Sequence, residues 1–184
     1  WMTPGRVLVI GTAGGEFVMS GSSVDEPVTP TNIRIARQTT YGSKSIRANV
    51  VANAILFTQR SGRKLRELIY SFNEDSYSST DLTLFSEHIT ASGISSVSYQ
   101  QGPDQILWVA LGNGNLIGMT YEKAQNVVSW HGHNIAGASA QVKSIATVPH
   151  PDGDKDRLWM VVSRTVNGST VQYVEYLEDL WDGA

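Results

Sequence analysis

The sequence predicts an all-β fold: a β-propeller of about four blades, or part of a larger one, with a repeat of about 50 residues. The first observation is a hairpin unit. Ile106-Leu107-Trp108-Val109-Ala110-Leu111 runs into the tight turn Gly112-Asn113-Gly114-Asn115 and out through Leu116-Ile117-Gly118-Met119. Two apolar runs around an Asn/Gly turn are the signature of paired antiparallel strands. The second observation is recurrence. Similar units open at Val7, Ile55, Ile106 and Leu158, so successive starts are 48, 51 and 52 residues apart. The third is that every strand in the pattern is short, as in a propeller blade. A sandwich or a meander is also all-β, but neither requires so regular a spacing.

Taken in order, the approximate blades are 1–42, 43–92, 93–138 and 139–184, within a single partial propeller domain. In the first, Trp1 and Met2 form the tail of a strand whose beginning is missing, and 7–12 and 16–20 form the central pair. Pro27 and Pro30 mark a connecting loop, because proline cannot donate to a central ladder. Residues 33–37 alternate apolar and polar, as an outer strand with one wet face should. The second blade has strands at 48–51, 54–59 and 65–72, followed by a polar segment at 73–80. Residues 81–89 fit either an outer strand or a short helix with Asp81 as N-cap and apolar residues at 82, 85 and 89; the helix is preferred. The third blade takes 93–100, the central hairpin and an outer strand at 127–131. The fourth takes 142–148, 158–163 and 170–177, with no outer strand after them. Leu8, Leu56, Leu107 and Trp159 are expected at equivalent second-strand positions, buried between blades. The abrupt start at Trp1 and the end soon after Trp181 read as a piece cut from a longer protein.

Composition narrows the function. With 41% hydrophobic residues the chain is globular, and a net charge of −3 argues against a general nucleic-acid surface. No apolar run reaches the ~18 residues of a membrane span, and no signal peptide is visible. There is no cysteine, which excludes disulfides, thiolate zinc sites and cysteine nucleophiles.

Four features carry possible chemistry. Asp152, Asp154 and Asp156 alternate, as Ca²⁺ ligands do, but Lys155 intrudes and no closing Glu follows, so a solvated hairpin tip is expected. His131 and His133 would share one face of a strand, which suits a metal pair, yet no third ligand is evident. The glycines at 11, 14 and 15 precede a strand where a phosphate loop requires a helix, so they form a hairpin turn. Arg60, Arg63, Lys64 and Arg66 make a local cationic tip, suited to phosphate, an acidic partner or water. No nucleophile–base set or paired carboxylates can be singled out. The expectation is therefore no metal, no cofactor and no enzyme.

Several stretches, in order along nearly the whole chain, resemble the tail nozzle or tail tubular protein B-like proteins of short-tailed bacteriophages and prophages. They include Gly14-Gly15-Glu16-Phe17, Arg37-Gln38-Thr39-Thr40-Tyr41-Gly42-Ser43, 59–68, 81–84, Tyr99-Gln100-Gln101, Leu107-Trp108, Met119-Thr120-Tyr121-Glu122, Trp130-His131 and Arg164-Thr165-Val166-Asn167-Gly168. The resemblance implies a ring-forming structural subunit in the virion tail, built around a β-propeller and assembled in the host cytoplasm. It would sit below the head-to-tail adaptor and surround the channel through which DNA leaves. The implied partners are other tail subunits, copies of itself and transiently phage DNA. In that setting the tip from Arg60 to Arg66 would meet either the DNA or acidic loops of a neighbour, such as Asp25-Glu26 or Asp152-Gly153-Asp154. The net negative charge favours the neighbour. Two alternatives come from the residues alone. One is a propeller that binds a host-surface glycan or protein, with Tyr77, Trp130 and Tyr173 stacking on sugars. The other is a glycosidase, for which no carboxylate pair is evident.

Overall fold

The computed structural model describes residues 1–5, 7–23, 26–137 and 139–178. They form an all-β structure of four antiparallel sheets, each an up-and-down meander. Contacts group the chain into two units, Trp1–Ala91 and one that starts at Ser92, each containing two sheets. Among the described residues no helix is long and apolar enough to cross a membrane.

The first sheet of the first unit runs β1 (Met2–Thr3), β2 (Leu8–Thr12), β3 (Gly15–Ser20) and β4 (Arg34–Thr39). Thr12 pairs with Gly15 across a two-residue turn, and the Thr12 hydroxyl donates to the Gly15 carbonyl at 2.8 Å. The 11–15 glycines therefore do make a hairpin. A side chain at Gly15 would strike the Thr39 carbonyl, and its φ of +152° suits glycine. The pairing slips by one residue between Glu16 and Phe17. At that bulge the Glu16 carboxylate is fully buried and accepts from the hydroxyls of Thr39 and Ser43.

The second sheet runs β5 (Asn49–Val51), β6 (Ala54–Thr58), β7 (Leu65–Ser71) and β8 (Ser76–Asp81). Every residue of β6 is buried, as in a strand covered on both faces. Val9, Ala48, Ile55, Phe57 and Leu68 form the core of this unit, with Trp1, Val7, Val18 and Tyr77 packed against it. One expectation fails here. The polar segment at 73–80 is mostly taken up by β8, and the residues that follow Asp81, up to 89, form turns in place of the preferred helix. Asp81 does accept backbone and hydroxyl hydrogen bonds from Thr83, at 2.9 and 2.6 Å. It caps a tight turn, however, and Leu82 N–H still donates to Leu65 in the sheet. Phe85 is 93% exposed, so the apolar spacing at 82, 85 and 89 does not mark a helix face turned inward.

In the second unit the third sheet runs β9 (Ile94–Gln100), β10 (Ile106–Leu111), β11 (Leu116–Glu122) and β12 (Val127–His133), with a 3-10 turn at Lys123–Gln125. The fourth sheet runs β13 (Gln141–Pro149), β14 (Asp156–Val166) and β15 (Ser169–Tyr176). Trp108, Ala110, Leu116, Val142, Leu158, Met160 and Val162 form its core. Leu8, Leu56, Leu107 and Trp159 all lie on the second strand of their sheets. Leu56 and Leu107 are buried, whereas Leu8 and Trp159 are only half-buried.

Candidate functional site

The turn between β6 and β7 is closed by Gln59 N–H donating to the Lys64 carbonyl at 2.9 Å. The four predicted cations around it do not form one tip. Arg66 is the first to leave the surface: its guanidinium carbon lies 3.4 Å from the centre of the Tyr41 ring. Its Nε donates to Gln59 at 2.8 Å, and it is only 8% exposed. The aromatic face and the amide replace the water the cation gives up. Lys64 Nζ lies 2.8 Å from carboxylate oxygens of both Asp81 and Glu87. Hydrogen bonds to Asp81 and Glu87 raise the Lys64 ammonium above its ordinary range. Burial pushes Asp81 up, but the bonds from Lys64 and Thr83 outweigh it and hold the carboxyl below its usual value. That leaves Arg60 and Arg63. Arg60 is exposed and donates to the Ala13 carbonyl at 3.4 Å. Arg63 is exposed and has no ion-pair partner among the described residues. The free cationic surface is thus two arginines wide. Of its expected acidic partners, Asp25 lies outside the described residues.

A concave site that residue types did not reveal lies between the first two sheets. It is a cleft of ≈ 570 Å³. Val7, Val9, Val18, Val50 and Ile55 make its apolar lining, and Tyr70 and Tyr77 meet edge to face with centres 5.5 Å apart. Polar groups are few. Asp75 accepts from the Tyr70 hydroxyl at 2.5 Å, and Gln38 Oε1 accepts from Tyr77 N–H at 3.1 Å. Tyr77 was singled out from sequence as an exposed aromatic. Its setting was not, because the cleft joins residues from all eight strands of the unit or the turns beside them, across more than 70 positions. Trp130 and Tyr173 lie on two other sheets, in the second unit.

His131 and His133 do share one face of β12. Their rings join directly, Nδ1 of His131 to Nε2 of His133, at 2.7 Å. Trp108 sits against both, with ring centres at 6.2 and 4.7 Å, and donates from Nε1 to Gln100 at 2.8 Å. Gly118 on the intervening strand faces both Trp108 and His131 in register, and a side chain there would strike the His131 ring. Burial depresses the basicity of both histidines, and His131 adds to the effect on His133. The three aspartates do not converge. Asp156 accepts from the backbone of Gln101 and Gly102 at 2.7 and 3.1 Å, while Asp152 and Asp154 flank His150.

No protein-family model and no curated protein matches the chain. Among solved structures it is similar to one described as "Luciferin-regenerating enzyme solved by SIRAS using XFEL (refined against Hg derivative data)". That match has 17% identity and a TM-score of 0.46, over 91% of this chain and 59% of the other. The chain thus spans less than two thirds of that protein. The expectation that the chain is not an enzyme is corrected accordingly: the structure it is similar to is described as an enzyme, and the exclusion rested only on missing sequence motifs. At that identity and TM-score the likeness assigns no reaction to this chain.

Proposed function

We propose that the chain is part of a β-propeller and serves as a structural subunit in the tail of a short-tailed phage or prophage, in the wall around the DNA exit channel. The observation that carries this reading is the repetition in the fold. Four antiparallel meanders with the same strand-to-strand connectivity follow one another at nearly even spacing, as propeller blades do. The ordered resemblance of its sequence stretches to tail nozzle proteins supplies the setting. In that setting its partners are the head-to-tail adaptor, further copies of the same protein and, transiently, the passing DNA, and its place is the virion.

Immunogold electron microscopy tests it. Antibodies raised against the 184-residue chain should decorate the tail end of purified, DNA-filled particles. Particles that carry no label at the tail, while the protein remains in the soluble lysate fraction, would overturn the proposal.

A further inference from the structure

We propose that Asn167 is a site of spontaneous covalent modification, where the chain turns an asparagine into aspartate and isoaspartate without an enzyme. This goes beyond the tail reading and does not depend on it. The backbone nitrogen of a glycine that follows asparagine attacks the side-chain carbonyl carbon. The new N–C bond closes a succinimide, and the side-chain nitrogen leaves as ammonia, carrying the proton that the backbone nitrogen gives up. Water then opens the ring at either carbonyl, so one ammonia is lost for one water gained. One opening leaves aspartate, and the other leaves isoaspartate, whose main chain runs through the former side chain. The attack needs a glycine N–H that is not engaged elsewhere and an amide free to swing back onto it.

Three Asn-Gly or Asp-Gly pairs lie among the described residues, and the structure separates them. At the first, Gly114 N–H donates to the Leu111 carbonyl at 2.9 Å, and the Asn113 side-chain oxygen accepts from Asn115 N–H at 3.1 Å. Gly114 is also buried against Gln141. At the second, Gly153 N–H donates to the His150 carbonyl at 2.9 Å, which ties back the nitrogen that would attack Asp152. At the third, Gly168 N–H donates to no carbonyl among the described residues. Asn167 and Gly168 are exposed, and a side chain built on Gly168 would meet no neighbouring atom. The two residues are the turn between β14 and β15. Val166 pairs with Ser169 across them, and their φ values of +49° and +78° are those an Asn-Gly hairpin turn adopts. Residues 165–170 are all exposed, so opening this tip uncovers no packed side chain.

The test incubates the 184-residue chain at mildly alkaline pH in heavy-oxygen water, once folded and once unfolded in urea, and maps the label by peptide mass spectrometry. In the unfolded chain Asn113 and Asn167 should react at similar rates, since each precedes a glycine. In the folded chain Asn167 should react about fivefold faster than Asn113 or more, the ratio that one retained hydrogen bond supplies at its usual net worth. Asn167→Gln keeps an amide at the turn but would have to close a larger, slower-forming ring. It should remove the label from that peptide and leave the rate at Asn113 unchanged, with the fold intact by circular dichroism. Equal rates at the two asparagines in the folded chain, or a faster rate at Asn113, would overturn the proposal. So would a folded chain that stays unlabelled at Asn167 while the unfolded one converts there, or label that persists in the glutamine variant's peptide.

Discussion

At Gly118 the absence of a side chain decides what its neighbours do. Trp108, Gly118 and His131 stand in one cross-strand row, and the gap at Gly118 lets the imidazole lie over the backbone toward the indole. The 2.7 Å bond to His133 needs a lone pair on one ring, so the pair cannot hold both protons and keep that bond. Both groups are less basic folded than in a free chain, because burial disfavours their charged forms. The sign follows from linkage. The unfolded chain takes up protons first, near the ordinary histidine range around pH 6.5, so stability is full above that range. It then declines as pH falls toward the depressed folded-state values and levels off below them. Thermal melts from pH 8 to pH 5 should show this loss. In His131→Gln/His133→Gln the slope between about pH 7 and pH 5.5 should flatten, and an unchanged slope would place the titrating groups elsewhere. The pairing of these two residues was legible from their i, i+2 spacing. Their packing on Trp108 was not, because it depends on which strand supplies the glycine.

Among the elements, the central hairpins were legible and the outer strands only partly so. The strands β6 and β10 are apolar runs bounded by turns because they are covered on both faces. Leu107 is wholly buried there, and Leu107→Ala should cost about 2–5 kcal/mol, measured by denaturant unfolding. Leu8, at the matching strand of the first sheet but half-buried, should cost clearly less on the same change. A loss at Leu107 below about 1 kcal/mol would mean that the strand is not part of a packed interior. The outer strand β8, Ser-Tyr-Ser-Ser-Thr-Asp, carries almost no apolar signal, since a sheet edge need not bury its side chains. Asp81 misled for a related reason: an acceptor that caps a turn looks the same in sequence as one that caps a helix.

For the molecule as a whole, local sequence showed that cations cluster at one turn but not which of them are free. Lys64 and Arg66 are held by Asp81, Glu87, Gln59 and Tyr41, all supplied from other positions in the fold. Reversing Lys64 would therefore break an internal ion pair and blur any assembly phenotype. Arg60 and Arg63 are the better probes. Arg60→Glu/Arg63→Glu should change stability by no more than about 0.5 kcal/mol per site; on the proposed tail reading it should also reduce the yield of assembled tails if a neighbour's acidic loop docks on this turn. Sedimentation of particles from phage carrying the double variant checks it. Normal tails with altered DNA release would move the contact to the channel, and no effect on either would leave the two arginines as solvated surface.

The last strand described, β15, leaves one side of its backbone with no neighbouring strand among the described residues. Its sequence, Ser-Thr-Val-Gln-Tyr-Val-Glu-Tyr, contains no Lys, Arg or Pro of the kind that usually guards such an edge. Val174 is 70% exposed along it, and Tyr173 and Tyr176 are each almost half exposed. An edge with no partner strand among the described residues, beside β-branched and aromatic side chains, is a template for stacking copies of the same segment. The purified chain should therefore be soluble when dilute and turn cloudy on concentration or long storage, with dye-binding fibrillar material in the sediment. Val174→Lys, which places one charge on that edge, should delay the onset of light scattering several-fold without moving the melting temperature of fresh protein.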